Sequence, residues 1–172
     1  MELIVNVTPD WGIGCGSRLL VAIPSDLRRF RELTAGKVVV LGRKTLATFP
    51  GGRPLKNRVN VVLSSNPDFA AEGAAVVRSR EELFRTLREY PREDLCVIGG
   101  ESIYRLLLDY CDAARVTKTY LKLQADRFFP NLDALPNWEI RRTSELQEEN
   151  GLQFQYIDYV NLTPRSLQAA EI

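Results

Sequence analysis

Residues 95–108 read Leu-Cys-Val-Ile-Gly-Gly-Glu-Ser-Ile-Tyr-Arg-Leu-Leu-Leu. An apolar run too short for a helix ends at a glycine pair, and beyond it Ile103, Tyr104, Leu107, Leu108 and Cys111 recur at helical spacing. Such a run reads as a strand covered on both faces, entering a helix at a junction without side chains. Glycines there let a ligand approach the backbone closely, and the helix start offers free N–H groups.

The same arrangement recurs on either side. Residues 3–7, 38–41, 59–63 and 74–77 are short Val/Ile/Leu/Ala-rich runs that read as central strands. Between them, Leu27, Phe30 and Leu33 follow Pro24-Ser25, and Leu83, Phe84, Leu87 and Tyr90 follow Ser79-Arg80-Glu81-Glu82, which fits a capping box. Strands alternating with helices imply right-handed crossovers. The last third differs: residues 115–123, 138–146 and 153–162 alternate in polarity, and Asn150-Gly151 between the last two is a hairpin signal. The expected fold is α/β, a mostly parallel central sheet of about eight strands with a C-terminal antiparallel hairpin, flanked by about four helices.

With 172 residues, 45% of them apolar and 26% charged, the chain suits one soluble core, read as a domain over residues 1–162 with a tail over 163–172 expected to fray. A net charge of +1 gives no global field for nucleic acid, so any anion must be met locally. Cys15, Cys96 and Cys111 are odd in number and far apart, which argues against a disulfide framework or a thiolate metal site. Histidine is absent, which removes histidine bases and the commonest zinc sites and leaves proton transfer to a carboxylate, Tyr, Lys, Cys or water. With no leader-like start and no long apolar run, a cytoplasmic monomer without membrane or nucleic-acid partners is the expectation.

In open α/β sheets ligands collect beyond the carboxyl ends of strands. Gly42, Arg43, Lys44 and Thr45 follow one strand, Ser64 and Ser65 a second, Arg78 a third, and Gly99 and Gly100 a fourth. If these ends are neighbours, Arg43, Lys44, Ser65 and Arg78 converge on one phosphate, as the 2′-phosphate of NADP requires. A solvated Arg-Lys pair and an ordinary tight turn account for the same residues separately. Gly12-Ile13-Gly14-Cys15-Gly16 is followed by no helix pattern and reads as a flexible loop over a cleft. Asp26, in a first helical turn beside that loop, is either a dipole-favoured acid or a proton-handling group.

The order of Leu3-Ile4-Val5, Trp11-Gly12-Ile13-Gly14, Ile23-Pro24-Ser25-Asp26-Leu27-Arg28-Arg29-Phe30, the segments at Gly42–Thr45, Arg53-Pro54-Leu55 and Arg58–Ser65, Val97-Ile98-Gly99-Gly100 with Tyr104, Thr117 and Asp126-Arg127-Phe128-Phe129-Pro130 resembles dihydrofolate reductases over roughly residues 2–160. The resemblance implies NADPH as cofactor, no metal, dihydrofolate as substrate, and hydride transfer to C6 of the pterin with protonation at N5. Asp26, braced by Thr117, would hold the pterin and help supply the proton, with Tyr104 beside the reacting rings. Val5, Asn6, Leu27, Phe30, Phe49, Leu55 and Ile98 would line the substrate, and Arg58 would pair with its glutamate carboxylate. Ile13, Gly14, Leu19, Gly42, Arg43, Lys44, Thr45, Ser64, Ser65, Arg78, Gly99, Gly100, Ser102, Ile103 and Tyr104 would hold the cofactor, with residues 10–21 a mobile loop over it.

The chain departs from the family pattern at Val21, where a Trp is normal, at Asn6, where a small apolar residue is usual, at Leu20, a common proline, and at Ser102, a frequent arginine. Two other readings share this fold: the NADPH-dependent reductase of riboflavin biosynthesis, and a non-catalytic pterin- or nucleotide-binding homologue. Asp26, Phe30 and Arg58 together favour folate over the former, since a ribosylated pyrimidine offers no distal carboxylate for Arg58.

Overall fold

A computed structural model describes residues 1–16 and 18–168. In chain order the elements are β1 (Glu2–Val7), β2 (Gly12–Cys15), β3 (Arg18–Leu19), α1 (Pro24–Thr34), β4 (Val38–Gly42), α2 (Arg43–Leu46), β5 (Val59–Leu63), β6 (Ala74–Val77), α3 (Arg80–Leu87), β7 (Leu95–Gly99), α4 (Glu101–Leu107), β8 (Ala113–Thr119), β9 (Arg127–Phe128), β10 (Trp138–Thr143), β11 (Gln147–Glu149) and β12 (Leu152–Asn161). The main sheet runs β10-β12-β8-β1-β7-β4-β5-β6, and every pairing from β8 to β6 is parallel.

Alternation along the central strands explains why both faces are apolar. Val38, Val40, Val61, Leu95 and Val97 enter one core, while Val39, Leu41, Val62, Cys96 and Ile98 enter another on the opposite face. The second core is where Phe30, Phe49 and Leu55 pack, so it is also the floor of the site described below. Burial pushes the Cys96 thiol up to about 11, and burial pushes the Cys111 thiol well above its ordinary range.

The antiparallel end is divided differently from the expected single hairpin. The strand expected over 138–146 ends at Thr143 as β10, and Gln147–Glu149 forms a separate β11; the two follow one another along the same edge of β12, while β8 takes the other edge. The hairpin turn is Asn150-Gly151, both at positive φ (52° and 77°), as a two-residue turn of this kind requires. The strand expected over 115–123 ends at Thr119.

Three further expectations need correction. Gly12–Cys15 is a strand rather than a loop, paired with β3 and β9 in a small second sheet. Ser79 caps α3 by accepting from the Glu82 amide at 3.1 Å, but the Glu82 carboxylate accepts from the Arg78 amide at 2.7 Å, one residue before the cap. Thr163–Gln168 does not fray: Leu167 is buried in the main core, the Arg165 amide donates to Asp109, and its guanidinium lies over Tyr110. The remainder of that tail, 169–172, lies outside the described residues.

Helix α1 begins at Pro24 without a side-chain cap. Glu149, from β11, supplies the missing acceptor: its Oε2 takes the Ser25 amide at 3.2 Å and the Ser25 hydroxyl. The helix is also tied by Arg29, which lies 4.0 Å over the Tyr156 ring and 3.6 Å from Asp158. Asp158 continues to Arg115 at 2.9 Å, Arg115 to Glu2 at 3.1 Å, and Glu2 to Lys37 at 3.6 Å.

Candidate active site

The strand tips at the carboxyl edge of the sheet open onto two neighbouring depressions that share Thr45 and Gly100. One is an apolar cavity of about 180 Å³ between α1 and the sheet, and the other is an open polar groove of about 500 Å³ across β4, β5 and β6. An apolar slot joined to a polar groove suits a flat heterocycle set against one end of a dinucleotide.

Asp26 is the one acid among the described residues that line the apolar cavity. Its Oδ1 accepts from the Thr117 hydroxyl at 2.6 Å and its Oδ2 from Asn6 Nδ2 at 3.0 Å. Thr117 and Asn6 are register partners on β8 and β1, so the central sheet itself holds the carboxylate. Val5, Leu27, Phe30, Phe49 and Ile98, expected on the substrate, share the lining with Ile13 and Leu19, expected on the cofactor. Leu55 packs beneath it with Phe30 and Phe49 rather than lining it. Arg58 lies outside both depressions, giving Nε to Thr34 Oγ1 at 2.7 Å, Nη1 to the Lys56 carbonyl at 2.7 Å and Nη2 to the Arg31 carbonyl at 3.2 Å. Gly14 also lies outside them, pairing across to Leu19 and Arg127 within the small sheet.

Tyr104, on α4, also lines the cavity. Its hydroxyl donates to the Ile4 carbonyl at 2.7 Å and its ring meets Phe129 edge-on at 4.9 Å. Burial pushes its phenol far above the ordinary range, so the group remains a neutral donor. The same ring explains Gly99, whose φ is +127° and where a Cβ would meet Tyr104 at 3.4 Å. At Gly100 a Cβ would stand 3.1 Å from Thr45 Oγ1, so β7 and α2 approach only because side chains are missing there.

In the groove, Gly42, Arg43, Lys44, Thr45, Ser64, Ser65, Arg78, Ser102 and Ile103 all contribute, so the four strand ends are neighbours. Gly42 is extended (φ −91°, ψ 161°). Arg78 is committed: Nη1 donates to the Asn66 carbonyl and Nη2 to the Phe69 carbonyl, bridging the 66–69 turn to the end of β6. Arg80 lines the groove beside it and was read in the sequence only as part of a helix cap. Its signal was position, two residues past a strand end. The groove fits a phosphorylated dinucleotide: cations and hydroxyls line it, and a cradle that a Cβ would fill lies where it meets the cavity. Sequence reading also missed Ile4, Arg29, Leu33 and Thr48, which complete the cavity. No group of His, Cys, Asp or Glu suited to a metal ion occurs among the described residues.

A family model described as dihydrofolate reductase matches residues 1–161. The dihydrofolate reductase of Bacillus subtilis (strain 168) is 34% identical over 149 residues, covering 86% of this chain and 86% of its own. That of Neisseria gonorrhoeae is 32% identical over 160 residues, covering 93% of this chain and 97% of its own. Among solved structures, a dihydrofolate reductase from Enterococcus faecalis complexed with NADP(H) and RAB-propyl superposes with a TM-score of 0.82 at 33% identity, covering 93% of this chain and 95% of that one.

Proposed function

The chain belongs to the dihydrofolate reductase family, and on that premise we propose how its side chains divide the work. The reaction is NADPH-dependent reduction of 7,8-dihydrofolate to 5,6,7,8-tetrahydrofolate. The observation that carries the division is Asp26: a lone acid in an apolar slot, held at both oxygens by the sheet and opening onto the groove through Gly100 and Thr45.

Asp26 accepts hydrogen bonds from the 2-amino group and N3 of the pterin and assists delivery of a proton to N5, in a chain where no histidine could do so. Phe30, Phe49, Leu27 and Ile98 enclose the ring and exclude water, and Arg58, fixed by Thr34 and two carbonyls, meets the glutamate carboxylate at the rim. NADPH, when bound, supplies the hydride. Arg43, Lys44, Thr45, Ser64, Ser65, Arg78 and Arg80 would hold its phosphates, while Gly99, Gly100 and Tyr104 would leave room for the nicotinamide beside the apolar cavity.

The match over residues 1–161 and the names of the relatives disfavour the riboflavin-biosynthesis reading. We read residues 1–162 as one domain, acting as a cytoplasmic monomer on a small molecule without nucleic acid. The balanced charge supports this, as does the finding that no helix among the described residues is long and apolar enough to cross a membrane. Purified protein mixed with NADPH and dihydrofolate is expected to consume both at equal rates. Tight binding without turnover overturns the catalytic reading, and light scattering checks the monomer.

A further inference from the structure

Asn6 has figured so far as a lining residue and a support for Asp26, and its partner Thr119 has had no role. The Thr119 hydroxyl, fully buried, donates to Asn6 Oδ1 at 2.8 Å, and Asn6 Nδ2 donates to Asp26 Oδ2 at 3.0 Å. Thr119 stands two residues beyond Thr117 on β8, so both hydroxyls leave the same face of the strand. The orientation of the amide follows from its neighbours. A carboxylate only accepts, so the nitrogen must face Asp26, and the oxygen is then left for the hydroxyl, which can donate.

This orientation gives the cavity a specific edge. Each carboxylate oxygen of Asp26 has two lone-pair directions, one of them occupied, by Thr117 at Oδ1 and by Asn6 at Oδ2. The Asn6 nitrogen has two hydrogens, one of which goes to Asp26. What remains is a row of acceptor, acceptor and donor at Oδ1, Oδ2 and Nδ2, on residues that line the cavity. The complementary row is donor, donor, acceptor. A ring with a 2-amino group, a protonated N3 and a 4-oxo group presents that row. A 2,4-diaminopyrimidine has no acceptor beside either ring nitrogen, whichever way it is turned.

We propose that Asn6, oriented by Thr119, is a specificity-determining residue that reads the 4-oxo group of the substrate ring and disfavours rings carrying an amino group there. The inference rests on the reductase reading for the identity of the ring. Its energetic basis is that a buried donor left against another donor loses its hydrogen bond and its hydration together.

The test measures dissociation constants for two probes, 2-amino-5-benzyl-4-oxopyrimidine and 2,4-diamino-5-benzylpyrimidine, on the wild type, Asn6→Ala and Thr119→Val. Whatever the wild-type ratio of the two, Asn6→Ala should move it toward the diamino ring by about tenfold. Thr119→Val should move it the same way by about threefold, because the amide then loses its orienting partner. A general loosening of the site would weaken both probes alike and leave the ratio unchanged, and that result overturns the proposal. Should Asn6→Ala fail to fold, Thr119→Val reads the same ratio. Wild-type turnover of dihydrofolate with a constant ratio removes this inference alone, whereas a wild type that neither binds the probes nor turns over dihydrofolate removes the reductase reading as well.

Discussion

The hydroxyl of Thr117 lies 2.6 Å from Oδ1 of Asp26, a contact between side chains 91 residues apart in sequence. Asp26→Asn keeps the volume and removes the charge, so it should fold normally yet reduce dihydrofolate at neutral pH at least about 100-fold more slowly. Thr117→Val removes one bond to a charged oxygen and should cost about tenfold. Steady-state kinetics with melting curves on the same samples separates activity from folding.

The close approach at Gly99 and Gly100 should tolerate no side chain. Gly99→Ala combines a φ of +127° with a Cβ 3.4 Å from the Tyr104 ring, and about 1–3 kcal/mol of stability should be lost, read by urea unfolding. In Gly100→Ala the new methyl meets the Thr45 hydroxyl at 3.1 Å. Here the expected loss is NADPH affinity, about tenfold by titration, since the displaced group lines both depressions.

The cations of the groove divide into two kinds. Lys44→Ala and Arg80→Ala should weaken NADPH by about tenfold while changing NADH little, because the additional phosphate is what they are proposed to meet. Arg78→Ala should also lower the melting temperature, since the carbonyls of Asn66 and Phe69 lose their donors, at a cost of about 1–3 kcal/mol. Paired binding and unfolding measurements distinguish them.

Stability should fall on both sides of neutrality for separate reasons. In the folded chain burial keeps Cys96 protonated to about 11, and keeps Cys111 and Tyr104 protonated beyond their ordinary ranges. Unfolded, thiols ionise near pH 8.5 and phenols near 10, so the folded state holds more protons and loses stability as pH climbs above about 8.5. Burial of Asp112 opposes its ionisation, but Arg92 at 2.8 Å and the Met1 amino group hold its carboxyl below the usual range. The stability it contributes is therefore complete at neutral pH and disappears as pH falls below about 4. Urea midpoints across pH check both limbs. An aromatic disulfide reagent at pH 8 should modify only Cys15, the exposed thiol.

The strands of the main sheet were legible because residues buried on both faces leave uninterrupted apolar runs, as in Val38–Gly42 and Leu95–Gly99. The strand Gly12–Cys15 was not, because its pairing with Arg127–Phe128 is more than a hundred residues away and its composition is that of a loop. Asp26 and the groove were readable from strand ends and helix starts, which are local features. That Arg78 lines the groove could be read from its strand end, but its bonds to the carbonyls at 66 and 69 could not, since they are a choice made by tertiary geometry. Asn6 stood out as unusual in type, but nothing local says that its amide reaches a carboxylate twenty residues on. The packing of Leu167 escaped notice because a single apolar residue in a polar tail carries no periodicity.

Glu149 completes the start of α1 from the far end of the chain, and Thr117 steadies the acid that the helix carries. During synthesis the ribosome releases Asp26 long before either support exists. A nascent chain stalled short of residue 117 therefore carries the acid without its anchors, and should remain open to proteolysis around residue 26 until the final hairpin has emerged and closed over it.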